Sequence, residues 1–170
     1  MKTVWVSGAS TGIGFATAKK FLNNNWKVII SSSNYEKLLL AKKQLLLKSK
    51  NKELYAYKCD ISDRNQVTET VNKITKQIGN INLAILNAAA YTPNKEQVFS
   101  IQNFEKLIDV NLKGTLFCIE SLINNMKNNP NHIAIMASPV GYRGLPTGAA
   151  YGLTKAGLIN LAESLFFDLK

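Results

Sequence analysis

Short apolar runs alternate with longer amphipathic stretches along the chain. Thr3-Val4-Trp5-Val6, Val28-Ile29-Ile30, Leu83-Ala84-Ile85-Leu86 and Ile133-Ala134-Ile135-Met136 are near-continuous apolar runs, which predict strands buried on both faces. Leu54-Tyr55-Ala56-Tyr57 predicts a fifth strand from its aromatics and its position. Helical spacing fills the gaps. Ala18, Phe21 and Leu22 share one face, and Val67, Val71, Ile74 and Ile78 share another. Phe104, Leu107, Ile108, Leu112, Ile119, Leu122, Ile123 and Met126 predict one long helix, roughly Ile101–Lys127. Asp63 is a predicted helix cap and Gly79 a predicted stop, while Pro93, Pro130, Pro139 and Pro146 fall between segments.

Strand and helix alternate at roughly 30 residues per unit, the signature of a parallel sheet covered on both faces. The predicted fold is therefore α/β: a Rossmann-type doubly wound parallel sheet in three αβα layers, one domain over residues 1–170. In such sheets a ligand lies beyond the carboxyl ends of the strands, where strand order reverses.

The composition agrees with a globular chain: 46% hydrophobic and 19% charged over 170 residues, with 4 prolines. Two scattered cysteines, Cys59 and Cys118, provide neither a disulfide framework nor a zinc site and suggest a reducing, cytoplasmic setting. Met1-Lys2-Thr3 runs directly into the first strand, leaving no room for a signal peptide. No apolar run reaches the roughly 18 residues of a membrane span. The net charge is +10, and much of the excess lies between Lys37 and Lys58. With no known nucleic-acid-binding motif, that stretch reads as a solvated basic face, so neither nucleic acid nor membrane is expected as a partner.

The first strand ends in Ser7-Gly8-Ala9-Ser10-Thr11-Gly12-Ile13-Gly14 and passes into a helix. Glycines at a sharp strand-to-helix turn expose amide N–H groups at the positive helix end, which suits a pyrophosphate. The spacing is G-x-x-x-G-x-G, unlike the common G-x-G-x-x-G fingerprint, and a tight turn without a ligand is the competing reading.

Gly8-x-x-x-Gly12-Ile13-Gly14, Asn87-Ala88-Ala89 after the fourth strand and Tyr151-x-x-x-Lys155 on the last helix occur in order, with Asn111 and Ser138 between the second and third. With these motifs the whole chain resembles the short-chain dehydrogenase/reductase family. The resemblance implies hydride transfer between a nicotinamide cofactor and a carbonyl/alcohol pair, with Tyr151 as general acid/base. Tyr151 and Lys155 are four residues apart, one helical turn. A nearby ammonium favours the phenolate, so the expectation is a lowered tyrosine pKa. Gly148, Ala149, Ala150, Gly152, Ala156 and Gly157 surround the pair with little bulk, enough for a flat ring and a substrate to approach closely.

By resemblance, Ser138 hydrogen-bonds the substrate oxygen; a turn residue is the alternative. Asn111 sits in an apolar stripe, where an amide must be hydrogen-bonded. It reads as a structural amide; the resemblance adds a water-linked relay through Lys155, and both roles can hold together. The resemblance also implies that Lys155 holds the nicotinamide ribose and that Asn87, Ala88 and Ala89 line the cofactor. Asp60 with Ile61 sits by the adenine or, alternatively, only opens a helix. With Gly8, Ser10, Thr11, Gly12, Ile13, Gly14, Ser32 and Ser33, these complete the implied cofactor site. His132 has no metal-ligand companions, and no metal is expected. Tyr142 and Arg143 read equally as substrate contacts or loop surface.

Ser31-Ser32-Ser33-Asn34 follows the second strand where NAD enzymes carry an acidic group for the ribose hydroxyl. No carboxylate is present, and three hydroxyls are available to a 2′-phosphate. Thr11 and Ser33 stand where NADP-preferring relatives often carry Arg or Lys, with Lys37 a substitute one turn on. NADP is expected ahead of NAD.

Two small motif changes, Ser7 for threonine and Ala89 for glycine, accompany a larger departure. Family members continue past this point into a sixth strand, a substrate lid and a seventh strand. The implied fold is thus C-terminally incomplete, with the fifth strand an unpaired edge. An inactive, truncated cofactor-binding or dimerising protein is therefore the alternative to an enzyme. Sugar-nucleotide epimerases share Tyr-x-x-x-Lys, but the glycine spacing counts against them. By resemblance, the family's paired long helices, here roughly Ile101–Lys127 and Ala150–Leu169, bury against a second subunit, which implies a homodimer or homotetramer.

Overall fold

The computed structural model describes residues 1–91, 100–125 and 131–169. The expectations at Pro93, Met126, Lys127 and Pro130 lie outside the described residues. Five strands, β1 (Thr3–Ser7), β2 (Lys27–Ser32), β3 (Leu54–Lys58), β4 (Leu83–Leu86) and β5 (His132–Ile135), form one parallel sheet in the order β3-β2-β1-β4-β5. All five predicted strands are present within two residues of their apolar runs. The order reverses between β1 and β4, which opens a crevice there. Among the described residues β5 is an edge strand, as expected.

Helices α1 (Gly12–Asn23) and α2 (Tyr35–Lys48) cover one face of the sheet, and α3 (Arg64–Gln77) covers the other together with α5 (Gly114–Asn125). Alternation within β1 feeds both cores: Val4 and Val6 pack with Ala18, Leu22 and Leu38, while Trp5 packs with Val71, Ile74 and Leu122. Asp63 caps α3 by accepting from the N–H groups of Asn65 and Gln66, and the Gly79 N–H donates to Ile74 O past the helix end. The Lys37–Lys58 lysines lie mostly on the surface.

The long helix expected from residue 101 is not continuous. α4 (Ile101–Leu107) passes into a π-helical turn over Ile108–Lys113 before α5 begins. The buried Asn111 lies in that turn and is pulled toward neighbouring segments. At its end Gly114 lets the helix settle on Ile61, where a Cβ would meet Ile61 Cγ1 at 2.8 Å. A widened turn of this kind often accompanies a functional site. The last helix, α6 (Ala149–Asp168), follows a single 3₁₀ turn at Pro139–Gly141.

Candidate functional site

The crevice at the β1/β4 reversal is a cleft of about 570 Å³. One wall comes from the glycine turn (Gly8, Ser10, Thr11, Ile13), a second from β2 and β3 (Ser32, Ser33, Asp60, Ile61), and a third from Asn87, Ala88 and Ala89. Thus eleven of the residues expected at a cofactor line one space. Gly12 and Gly14 do not line it but shape its rim. Gly8 has φ +65° and lies so close to β4's end that a Cβ would meet Ala88 Cα at 2.6 Å. A Cβ on Gly14 would meet Gly8 O at 2.5 Å, so that glycine brings α1 against the turn. Glycine is required at both positions for close approach.

The turn is tied to β4 by hydrogen bonds. Ser7 Oγ accepts from the N–H groups of Asn87 (3.0 Å) and Ala88 (3.1 Å), and Asn87 Nδ2 donates to the carbonyls of Ser7 and Gly8. Ser7 was not among the expected site residues; its signal was a hydroxyl at the point where the strand ends. Cys59, Ala90, Lys106 and Val110 also line the cleft, and nothing in their sequence context pointed to it. Among the described residues that line the cleft, Lys106 is the only cation.

Asp60 lines the cleft, and its Oδ1 accepts from the Ser62 N–H (3.0 Å) and Ser62 Oγ–H (2.7 Å), which matches the reading as the turn that opens α3. The expectation for Ser31 is corrected. Its side chain is 1% exposed, and its Oγ accepts from Trp5 Nε1 at 3.0 Å, so it is unavailable to a ligand. A buried indole needs an acceptor, and Ser31 is the one beside it. Two hydroxyls remain: Ser32 and Ser33, with Ser32 Oγ donating to Ser10 Oγ at 3.2 Å.

The second group of expected residues gathers where α6 meets the end of β5. Tyr151 and Lys155 lie on one side of α6, with Lys155 Nζ 5.5 Å from the Tyr151 ring centroid. Ser138 precedes the 3₁₀ turn and hydrogen-bonds the Tyr151 side chain. The small residues seat this corner rather than leave it open. A Cβ on Gly152 would lie 3.2 Å from Val140 Cγ2, so the glycine lets α6 press onto the turn that follows Ser138.

The lowered tyrosine pKa is also corrected. Burial pushes the Tyr151 phenol above its ordinary value; the Ser138 hydrogen bond pulls it down and Tyr91 pushes it up. Burial likewise pulls the Lys155 ammonium below the usual lysine value. Lys155 is 2% exposed and donates to Met136 O at 2.6 Å, so its charge is directed at a carbonyl rather than at the phenol.

Asn111 is 0% exposed with its amide fully engaged. Its Oδ1 accepts from the Ala90 N–H (2.7 Å), and its Nδ2 donates to Ala90 O (3.0 Å) and Thr154 Oγ1 (3.2 Å). This matches the structural-amide reading. It also joins the cleft, through Ala90, to the helix that carries Tyr151. Tyr142 and Arg143 are exposed. Among the described residues no group of three His, Cys, Asp or Glu is placed to hold a metal ion, and no helix is long and apolar enough to cross a membrane.

The sequence model of the short chain dehydrogenase family matches residues 2–170. A 3-oxoacyl acyl-carrier-protein reductase (FabG) of Rickettsia typhi is 32% identical over 170 residues, covering 99% of this chain and 66% of its own length. A xylitol dehydrogenase solved with NAD+ bound is similar at 28% identity and a TM-score of 0.89, covering 99% of this chain and 65% of that one. A serine dehydrogenase in its closed form, complexed with NADP+, gives 27% identity and a TM-score of 0.87 over 98% of this chain and 66% of that one. The chain therefore spans about two thirds of the length of each of these relatives. With the glycine turn, the cleft at the strand reversal and the Tyr151–Lys155 pair in the family's order, the chain belongs to the short-chain dehydrogenase family.

Proposed function

We propose that the chain is an NAD(P)-dependent oxidoreductase that interconverts a carbonyl and an alcohol, with NADP preferred. The observation that carries this is the juxtaposition, through Asn111, of a dinucleotide-sized cleft with the Ser138–Tyr151–Lys155 corner.

The residues present fit such a cofactor. Thr11 gives the α1 N-terminus no side-chain cap, whereas Asn34, Asp63 and Ser100 cap the helices that follow them. Gly12 has φ +58° and open space where a side chain would stand. The first-turn N–H groups of α1 are thus available to a pyrophosphate, with Lys106 adding positive charge at the cleft. Of the two hydroxyls that line the cleft here, Ser33 would donate to a 2′-phosphate, and Ser32 would do so on releasing Ser10 Oγ. The one carboxylate among the described residues that line the cleft, Asp60, is occupied by Ser62. Asn87, Ala88 and Ala89 would hold the cofactor along their wall of the cleft, and Lys155 would hold its nicotinamide ribose if released from Met136 O.

When bound, the nicotinamide supplies or accepts the hydride. Ser138 holds the substrate oxygen beside the phenol, and Tyr151 gives its proton to that oxygen in reduction or takes it in oxidation. A phenol held above its ordinary pKa stays protonated at neutral pH, the form that donates to the substrate oxygen in reduction. Homodimers or homotetramers form through the α5 and α6 faces, where Leu116, Leu153, Phe166 and Phe167 are exposed. Two buried free thiols, Cys59 and Cys118, fit a cytoplasmic location.

A second reading, a non-catalytic cofactor-binding protein, is favoured by one observation: Lys155 is engaged by Met136 O and does not lower the Tyr151 pKa. One experiment separates the two. NADPH absorbance is followed with a panel of aldehydes and ketones for the parent chain and Tyr151→Phe, with cofactor affinity measured in parallel. The enzyme reading expects turnover in the parent and a loss of roughly 100-fold or more in the variant at equal cofactor affinity. Unchanged turnover in the variant removes Tyr151 from the mechanism, and cofactor binding without turnover in the parent selects the second reading.

A further inference from the structure

Tyr91 directly follows Ala90, whose N–H and C=O are both held by the Asn111 amide. The same amide donates to Thr154 Oγ1, and that hydroxyl donates to Tyr151 O at 2.8 Å. One buried side chain therefore fixes the two segments that carry Tyr91 and Tyr151. Their rings meet edge to face, with centroids 4.9 Å apart and planes at 65°. Tyr91 is nonetheless 57% exposed. A large aromatic surface is thus held open to solvent, on a clamped backbone, in contact with the phenol that exchanges the substrate proton. The ring presents a π surface that is already ordered by its contact with Tyr151 and by the Ala90 clamp.

We propose that Tyr91 is a specificity-determining residue, its ring forming a wall of the carbonyl site that selects substrates with a flat aromatic group beside the carbonyl. This rests on the proposed oxidoreductase function and goes beyond it by naming a substrate class. Stacked or edge-on aromatic contacts contribute beyond simple area burial, so the preference disappears with the ring and survives loss of the hydroxyl.

Benzaldehyde and cyclohexanecarbaldehyde form the test pair, since they match in carbon count and differ in flatness. The parent chain, Tyr91→Phe and Tyr91→Ala are compared with NADPH. Tyr91→Ala should lower the benzaldehyde-to-cyclohexanecarbaldehyde ratio of kcat/KM about tenfold, mainly through KM for benzaldehyde, and Tyr91→Phe should keep the parent ratio. The binding arm needs no turnover: saturation-transfer NMR with NADP+ compares benzyl alcohol and cyclohexylmethanol on the same three proteins. The expected result is a preference for benzyl alcohol in the parent and Tyr91→Phe that Tyr91→Ala lacks. Equal preferences in parent and Tyr91→Ala, a Tyr91→Phe variant that behaves like Tyr91→Ala, or binding of neither alcohol to the parent each overturn the proposal. Failure of the underlying function is distinct, because it is read from Tyr151→Phe turnover rather than from this ratio.

Discussion

The cleft at the β1/β4 reversal and the corner where α6 meets β5 are built differently, although the sequence marks both with short motifs. The cleft lies between central strands and is tied by Ser7 and Asn87, with Gly8 and Gly14 in close contact with its backbone. The corner lies beside the edge strand, whose residues are only partly buried or exposed. Its ammonium is directed at Met136 O, and its phenol sits above its ordinary pKa. The cleft is therefore set by backbone geometry that one methyl group disrupts, whereas the corner is set by side-chain hydrogen bonds. Asn111 couples the two.

The largest effect is expected in the cleft. Gly8→Ala places a Cβ 2.6 Å from Ala88 Cα on a residue at φ +65°. Left-handed strain and overpacking together should cost about 2–5 kcal/mol, seen as lost NADP affinity or lost stability in calorimetry. Gly12→Ala shares the positive φ but meets no atom within 4 Å, so it isolates the strain, about 1–2 kcal/mol. Equal losses in the two variants would show that close approach to β4 is unimportant.

Asn111→Leu should come next. It removes the partner of the Ala90 N–H and of Thr154 while keeping similar bulk, at about 1–3 kcal/mol in urea denaturation. Stability at the parent level would remove Asn111 as the link between cleft and corner.

The smallest effect is on pH dependence. Ser138 is the one group that pulls the Tyr151 pKa down against burial and Tyr91, so Ser138→Ala moves that pKa further up. The protonated phenol then persists to higher pH. The alkaline fall in reductive kcat shifts upward and the rise in alcohol oxidation is delayed, alongside a general drop in rate. A downward shift would contradict the assigned hydrogen bond.

The strands and the glycine turn were legible because buried parallel strands leave continuous apolar runs and a sharp strand-to-helix turn demands small residues. The cleft residues followed, since eleven expected positions line one space. What was not legible depends on contacts across the fold. The π-helical turn at Ile108–Lys113 leaves no change in apolar period, and the amide that accompanies it engages Ala90 and Thr154, far away in the chain. Ser31 looked like a free hydroxyl because the need of Trp5 Nε1 for an acceptor shows only once β1 and β2 are paired. The direction of the Tyr151 shift depends on burial and on where Lys155 points, and helical spacing gives neither.

Isotope transfer tests the central claim most directly. The parent chain is given benzaldehyde and NADPH carrying deuterium at the nicotinamide hydride position, and the alcohol is analysed by mass spectrometry. Direct hydride transfer in this fold predicts benzyl alcohol carrying one deuterium, formed by the parent and lost in Tyr151→Phe. Unlabelled alcohol, or labelled alcohol formed equally well by Tyr151→Phe, would contradict it.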